Sequence, residues 1–374
     1  MEPFLPFTRP TLDPETVAGV VDTLHSGWLA TGPQVAAFEQ ALADYLGGGR
    51  SVRTLSSGTA ALETALALAD VGPGDEVIVP AMSFAATANV VVRAGARPVF
   101  VDVELASRNL DANLMEAAVT PRTKALMPVH FSGLPVDTKA LYRLAERHHL
   151  RVIEDAAHAI GSSVGEGKIG GCGDLVCFSF HPNKNMTTIE GGALSLTDPA
   201  LVERLERLRF HGISRTSEGE LDVSVAGGKL NLSDVAARIG LGQLKRLDEF
   251  NAKRRQLVAR YFELLGEDPP GVLPERGAEG HSWHMFTLLL PFEKLGMARA
   301  AFQRAMKEKG IGVGIHYPAL HLFSLYRAMG YSEGQFPNAE RIGRETVTLP
   351  LFPTMTIEDV DRVCRALRDT LAGK

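Results

Sequence analysis

Leu175-Val176-Cys177-Phe178-Ser179-Phe180-His181-Pro182-Asn183-Lys184-Asn185, with Glu190-Gly191-Gly192 shortly after it, is the stretch on which the reading of this protein turns. The apolar run predicts a strand over 175–180, and Lys184 then stands at its mouth, ahead of flexible glycines. From such a place an amine can reach a bound aldehyde. A lysine becomes a useful nucleophile only when desolvation or nearby positive charge depresses its pKa. Taken alone, Lys184 reads as a solvated loop lysine, the usual fate of the type. The remaining sequence alters that reading.

On either side of this stretch, short apolar runs alternate with helical patterns. Strands are predicted over 76–79, 99–103, 125–129, 152–155 and 193–196, with helices over 84–93, 113–118 and 138–148 among them. Continuous Val/Ile/Leu strands joined by helical crossovers imply a mainly parallel sheet covered on both faces. Ligands of such sheets bind beyond the carboxyl ends of the strands, and Asp155, Ser179 and Lys184 all fall there. Upstream, Asp13-Pro14 opens a helix with Val17, Val20, Val21 and Leu24 on one face. Gly27 closes it before an irregular, exposed stretch, Trp28 to Pro33. Downstream, one long helix is expected from Ser233 to about Leu265, and Pro269-Pro270-Gly271 then punctuates the sequence. The tail mixes a strand over 286–290, a helix over 299–309 and a last helix capped by Thr356, the pattern of a smaller α+β lobe. The expected class is α/β, with a large domain over 1–247 and a small C-terminal domain over 248–374.

Composition narrows the function classes. The 374 residues are 45% hydrophobic and 22% charged, enough for two lobes with real cores. A net charge of −5 without basic runs argues against nucleic acid. No apolar run is long enough to span a bilayer, and the segment from Met1 to Pro6 has no signal-peptide pattern. Three cysteines, Cys172, Cys177 and Cys364, make neither a disulfide framework nor a zinc knuckle. No His-Glu-x-x-His spacing occurs among the 11 histidines, so no metal site is expected. A cytoplasmic, reduced protein is the expectation.

Several other segments carry possible chemistry. Ser56-Ser57-Gly58-Thr59 precedes an Ala/Leu-rich helix, where small residues let backbone N–H groups and the helix dipole approach an anion. An ordinary Ser/Thr cap explains it equally well. Glu154-Asp155-Ala156-Ala157-His158 ends a strand with a carboxylate beside small residues, which leaves room for a flat ring. There Asp155 suits a protonated pyridine nitrogen, and His158 falls on the same face of a turn; a solvated acid and a capping histidine are the plain alternatives. Phe84 reads either as a ring-stacking residue or as core. Asn231 precedes the cap of the long helix. His316, Tyr317 and His321 crowd one Gly/Pro-bounded loop, as recognition loops do.

Taken together, these segments resemble the DegT/StrS-type sugar aminotransferases, pyridoxal-phosphate enzymes of the aspartate-aminotransferase fold (fold type I). The resemblance covers nearly the whole sequence. It runs from Ser26-Gly27-Trp28 and Thr31-Gly32-Pro33 through Gly72-Pro73-Gly74-Asp75, Glu154 to His158 and Phe178 to Asn185, then to Gly312 through Tyr317. It is most similar to the UDP-4-amino-4-deoxy-L-arabinose aminotransferases. The resemblance implies Lys184 as the Schiff-base lysine and Asp155 as the pyridinium partner. It implies Gly58, Thr59 and Ser179 at the phosphate, Phe84 stacked on the ring and His158 near its oxygen. Asn231 is implied to reach the cofactor of a neighbouring subunit in a homodimer, and Thr31, His316 and Tyr317 to lie near the substrate. Ala81-Met82 stands where relatives often carry more polar residues, and the stretch from Glu218 to Gly228 matches no pattern of the family.

The implied activity is transfer of an amino group from an amino acid, by resemblance glutamate, to a 4-keto nucleotide sugar in amino-sugar biosynthesis. A non-catalytic regulatory protein that keeps the cofactor, and a sugar dehydratase of the same fold, are the alternatives. Dehydrating relatives carry histidine where this protein has Lys184. A nicotinamide oxidoreductase would need a G-x-G-x-x-G turn after the first strand, which is absent.

Overall fold

The computed structural model describes residues 3–276 and 280–373. Met1 and Glu2, part of the N-terminal reading above, lie outside the described residues. Nine strands come first: β1 (Ser51–Leu55), β2 (Glu76–Pro80), β3 (Arg97–Val101), β4 (Thr123–Leu126), β5 (Arg151–Asp155), β6 (Ser163–Val164), β7 (Gly167–Lys168), β8 (Leu175–Ser179) and β9 (Gly192–Leu196). Seven of them form one sheet in the order β1-β9-β8-β5-β4-β2-β3, while β6 and β7 pair as a small separate ribbon. The pairs from β8 through β5, β4 and β2 to β3 are parallel, and β9 runs antiparallel to both its neighbours. The mainly parallel α/β sheet is therefore present. Its strands are buried nearly throughout, which is why their sequence reads as continuous apolar runs rather than alternation.

Strand direction positions the site. β1, β2, β5 and β8 end at one edge of the sheet, and β9 begins there, with Leu55 and Ser179 both opposite Gly192. That edge brings together the segments after Leu55, Pro80, Asp155 and Ser179.

The residues that follow the sheet build a second core. A small exposed hairpin, β10 (Ile213–Arg215) with β11 (Leu221–Val223), comes first; β12 (Phe286–Leu289) and β13 (Thr346–Leu349) then pair antiparallel. Helices Arg299–Glu308 and Ile357–Ala372 cover them, the latter closed by a reciprocal Thr356–Asp359 cap. Leu5 joins this second core, bridging to Ile311, so the N-terminal strap packs with the tail rather than the sheet. Met285, Leu320, Tyr326 and Ile342 in turn pack into the core of the sheet. The two cores are stitched together in both directions.

Several features differ from the sequence expectations, and those around the N-terminal helices bear most on the layout. The long helix is two, Asp234–Lys245 and Leu247–Leu265, with a bend at Arg246 (φ −105°, ψ 0°). The bend redirects the backbone: the first helix packs on helices Pro14–Ser26 and Pro33–Leu46, the second on the C-terminal helix. Helix Pro33–Leu46 and strand β1 were not anticipated as elements, although buried Val35, Phe38, Leu42 and Leu46 carry a helical spacing. Helix Pro14–Ser26 has the expected Asp13 cap and Gly27 stop, but Val17, Val21 and Leu24 face outward. Its buried face is Thr16, Gly19 and Thr23, because it packs on helix Asp234–Lys245 so closely that a side chain at Gly242 would overlap Thr16. Among the described residues no helix is long and apolar enough to cross a membrane.

Candidate active site

A cavity of about 370 Å³ opens at the sheet edge, lined by all the converging segments. At one part of its wall, Ser57 caps helix Gly58–Leu68, its hydroxyl accepting from the Ala60 N–H at 3.0 Å. The first N–H groups of a helix have no partner within it. Those of Gly58 and Thr59 therefore remain as donors beside the Ser179 hydroxyl. Gly58 is needed for closeness: a Cβ there would sit 2.8 Å from the Cβ of Ser179. The arrangement has the donors that an anion requires.

Asp155, last residue of β5, is buried on the cavity wall. Its Oδ2 accepts from the Thr87 hydroxyl at 2.8 Å and its Oδ1 from the Ala157 N–H at 3.1 Å. Burial pushes its carboxyl above the usual range, while these two donors and the nearby Lys184 charge pull the other way. Phe84 is 57% exposed at the cavity, with its ring 5.8 Å from that of Tyr317. That exposure removes the plain-core reading and leaves a ring wall.

Lys184 lies half-buried on the same wall, open to the cavity and otherwise enclosed by protein. Its backbone N–H bonds the His181 carbonyl at 2.9 Å, a turn that directs the side group into the site. Burial lowers its pKa from 10.5 to about 8, with the Asp155 charge acting against that fall. Desolvation thus disfavours the ammonium form of this lysine and raises its neutral fraction.

Two histidines of the cavity, His158 and His316, are held below their ordinary pKa. His158 is held far below its ordinary pKa by burial and by Lys184; its Nδ1 accepts from the Ser132 N–H at 3.3 Å, and its Nε2 lies 3.3 Å from the Tyr317 hydroxyl. Burial brings His316 down to about 4, and its Nδ1 lies 2.7 Å from the Thr348 hydroxyl. Tyr317 is raised by burial and stays a phenol. His321, from the same loop, turns away and lies 3.0 Å from Glu340 in the core. The crowding read as one recognition loop thus divides between a site and a structural pair.

Gly58, Thr59, Phe84, Asp155, His158, Ser179, Lys184, His316 and Tyr317 meet at this one cavity. Thr31 and Asn231 do not line it. They bond each other, with the Thr31 hydroxyl donating to the Leu232 carbonyl at 2.7 Å and Lys229 donating to Asn231 at 2.6 Å. Thr87, which holds Asp155, escaped the sequence reading. Its only signal is its place three residues after Phe84, one helical turn along the wall. Among the described residues no group of three or more His, Cys, Asp or Glu residues is placed to hold a metal.

The requirements of pyridoxal phosphate match what is present: an anion cradle, a buried carboxylate for a ring nitrogen, an aromatic wall and an amine of depressed pKa, all on one cavity. Comparison with known proteins agrees. The model of the DegT/DnrJ/EryC1/StrS aminotransferase family matches residues 10–368. The spore coat polysaccharide biosynthesis protein SpsC of Bacillus subtilis is 39% identical over 99% of this chain and 98% of its own. The putative sugar aminotransferase Spr1654 from Streptococcus pneumoniae, in its PMP form, superposes with a TM-score of 0.93 at 30% identity, over 99% of this chain and 98% of that one. Helicobacter pylori PseC, an aminotransferase involved in the biosynthesis of pseudoaminic acid, gives 0.93 at 26% identity, over 99% and 100%.

Proposed function

Because the chain belongs to the DegT/DnrJ/EryC1/StrS aminotransferase family, we propose that it uses pyridoxal phosphate to move an amino group from an amino acid, glutamate, to a 4-keto nucleotide sugar in the cytoplasm. The observation that carries this reading is the pairing of Lys184, an amine with its pKa brought to about 8, with buried Asp155 on one cavity.

When bound, the cofactor supplies an aldehyde to carry the amine and a ring that takes up the electrons of a broken C–H bond. The residues supply the rest. Gly58 and Thr59 N–H groups and the Ser179 hydroxyl would bind the phosphate, and Phe84 would pack on the ring. Asp155 would keep a proton on the ring nitrogen. Lys184 would hold the cofactor and, as a neutral amine, would take a proton from the donor's α-carbon and give one back on the acceptor side. For the second substrate, the cavity offers His158, His316, Tyr317 and Asn183, all neutral hydrogen-bonding groups. Such a lining suits the hydroxyls of a sugar better than a charged group.

The active unit in this reading is a homodimer. Outward-facing Val17, Val21 and Leu24 on helix Pro14–Ser26, and exposed Trp28 and Leu29 in the segment that leads from it to Thr31, are apolar groups open to a partner. Asn231 and Thr31, which do not line the cavity of their own subunit, would then serve that of the partner.

The test is a screen of 4-keto UDP-, dTDP- and GDP-sugars with glutamate, followed by mass analysis of the product. Lys184→Ala should abolish amine transfer while still binding some coenzyme through the cradle. Near-normal turnover in that variant would end the proposal.

A further inference from the structure

Thr87 is wholly buried in the first turn of helix Ala85–Arg93. Thr23, Thr64 and Thr370 spend their hydroxyls on carbonyls of their own helices, as helical threonines commonly do. Thr87 spends its own on Asp155 Oδ2. Its Oγ1 also lies 2.9 Å from the Ser83 hydroxyl, itself buried. An ionised carboxylate only accepts, and a hydroxyl has one hydrogen. The Thr87 hydrogen therefore goes to Asp155, and the hydrogen between the two hydroxyls comes from Ser83. The direction of the relay is set: Ser83 to Thr87 to Asp155.

We infer that Thr87 keeps Asp155 ionised and aimed, and that Ser83 orients the Thr87 hydroxyl, so that this pair positions the counter-charge for the cofactor's ring nitrogen. Burial works against the ionised carboxylate, and the largest opposing influence is the Thr87 hydroxyl, ahead of the Ala157 N–H. The charged and titratable groups that face Asp155 from neighbouring elements are Lys184 and His130, which favour its ionised form, and Cys177 and Tyr317, whose own protons its charge holds more tightly. None of these sits in the Thr87 helix, and the Thr87 hydroxyl itself reaches only Asp155 and Ser83 in the bonds described, so the Asp155 titration reads its effect directly. The inference rests on the reading of the cavity as a pyridoxal-phosphate site.

The experiment compares Thr87→Val, which keeps shape and removes the hydroxyl, with Thr87→Ser, which restores it, and with Ser83→Ala. In the cofactor-free protein, the ionisation of Asp155 is followed by infrared difference spectroscopy against Asp155→Asn. A hydrogen bond to a charged group corresponds to a rise of about one to two pH units in Thr87→Val. A smaller rise is expected in Ser83→Ala and near-wild-type behaviour in Thr87→Ser. In the loaded protein, kcat of Thr87→Val should fall about 10- to 100-fold by the same arithmetic, with KM for the keto sugar little changed, and Thr87→Ser should recover it. An Asp155 titration unchanged in folded Thr87→Val overturns the inference. If that variant does not fold, an unchanged titration in Ser83→Ala overturns it instead. Should the titration shift as expected while the wild-type protein captures no coenzyme, the Ser83–Thr87–Asp155 coupling stands and the cofactor reading falls.

Discussion

Replacing Asp155 by asparagine should have two opposite effects, and their opposition makes the test sharp. Lys184 attacks an aldehyde only as a neutral amine. With its pKa brought from 10.5 to about 8, roughly a tenth of the molecules are neutral at pH 7, against about one in 3,000 at the ordinary value. The depression corresponds to on the order of 3 kcal/mol disfavouring the ammonium. Capture of pyridoxal phosphate by the cofactor-free protein should therefore speed up about tenfold per pH unit below pH 8 and level off above it. The Asp155 charge stabilises the ammonium, so Asp155→Asn lowers the inflection further and captures coenzyme faster at pH 7. The same variant should turn over far more slowly, because an amide cannot hold the ring nitrogen protonated. Stopped-flow mixing with excess coenzyme, read by the yellow colour of the lysine-bound form, gives the capture profile. A wild-type inflection near pH 10, or an upward shift in Asp155→Asn, would refute the electrostatic argument; an unchanged single-turnover rate would remove Asp155 from the chemistry. Linkage supplies a separate check. Between pH 8 and 10.5 the unfolded protein holds a proton that folded Lys184 has released, so this group adds stability as pH rises through that window. Lys184→Met should lose that increment and be more stable than wild type at pH 7.

Other outcomes follow from the same geometry. Gly58→Ala puts a Cβ 2.8 Å from that of Ser179 and should cost about 1–3 kcal/mol through overpacking; thermal unfolding and coenzyme titration should both worsen, and unchanged coenzyme affinity would count against the cradle. Val21→Asp with Leu24→Asp places charges on the exposed apolar face and should yield monomers in sedimentation velocity with weakened coenzyme binding; a persisting dimer would move the interface elsewhere. Arg254, fully buried, donates through one nitrogen to the carbonyls of Trp283, His284 and Leu351. Arg254→Met should loosen the C-terminal core from the loop behind His158, seen as a lower melting temperature and faster hydrogen exchange at His284; unchanged exchange there would show that the clamp is dispensable.

Much of the site was legible along the sequence. Asp155 ends β5 and Lys184 follows β8, and the ends of parallel neighbours share an edge, so local pattern carries these two to one place; Gly58 and Thr59 follow β1, which reaches the same edge only through antiparallel β9. Helix Thr138–His148 has the bounds its spacing predicts, since caps and an amphipathic face are local signals. Other features were settled at a distance. The bend at Arg246 answers to two separate cores that the helix must serve in turn. The outward face of helix Pro14–Ser26 follows from the close approach of a second helix more than 200 residues later. His316 and His321 sit in the same loop with the same imidazole, yet one meets the cavity and the other Glu340, because only packing decides which way a loop residue points. The depressed pKa of Lys184 belongs to this second group as well: the sequence names the amine, but removal of water around it is the work of segments brought together only by folding.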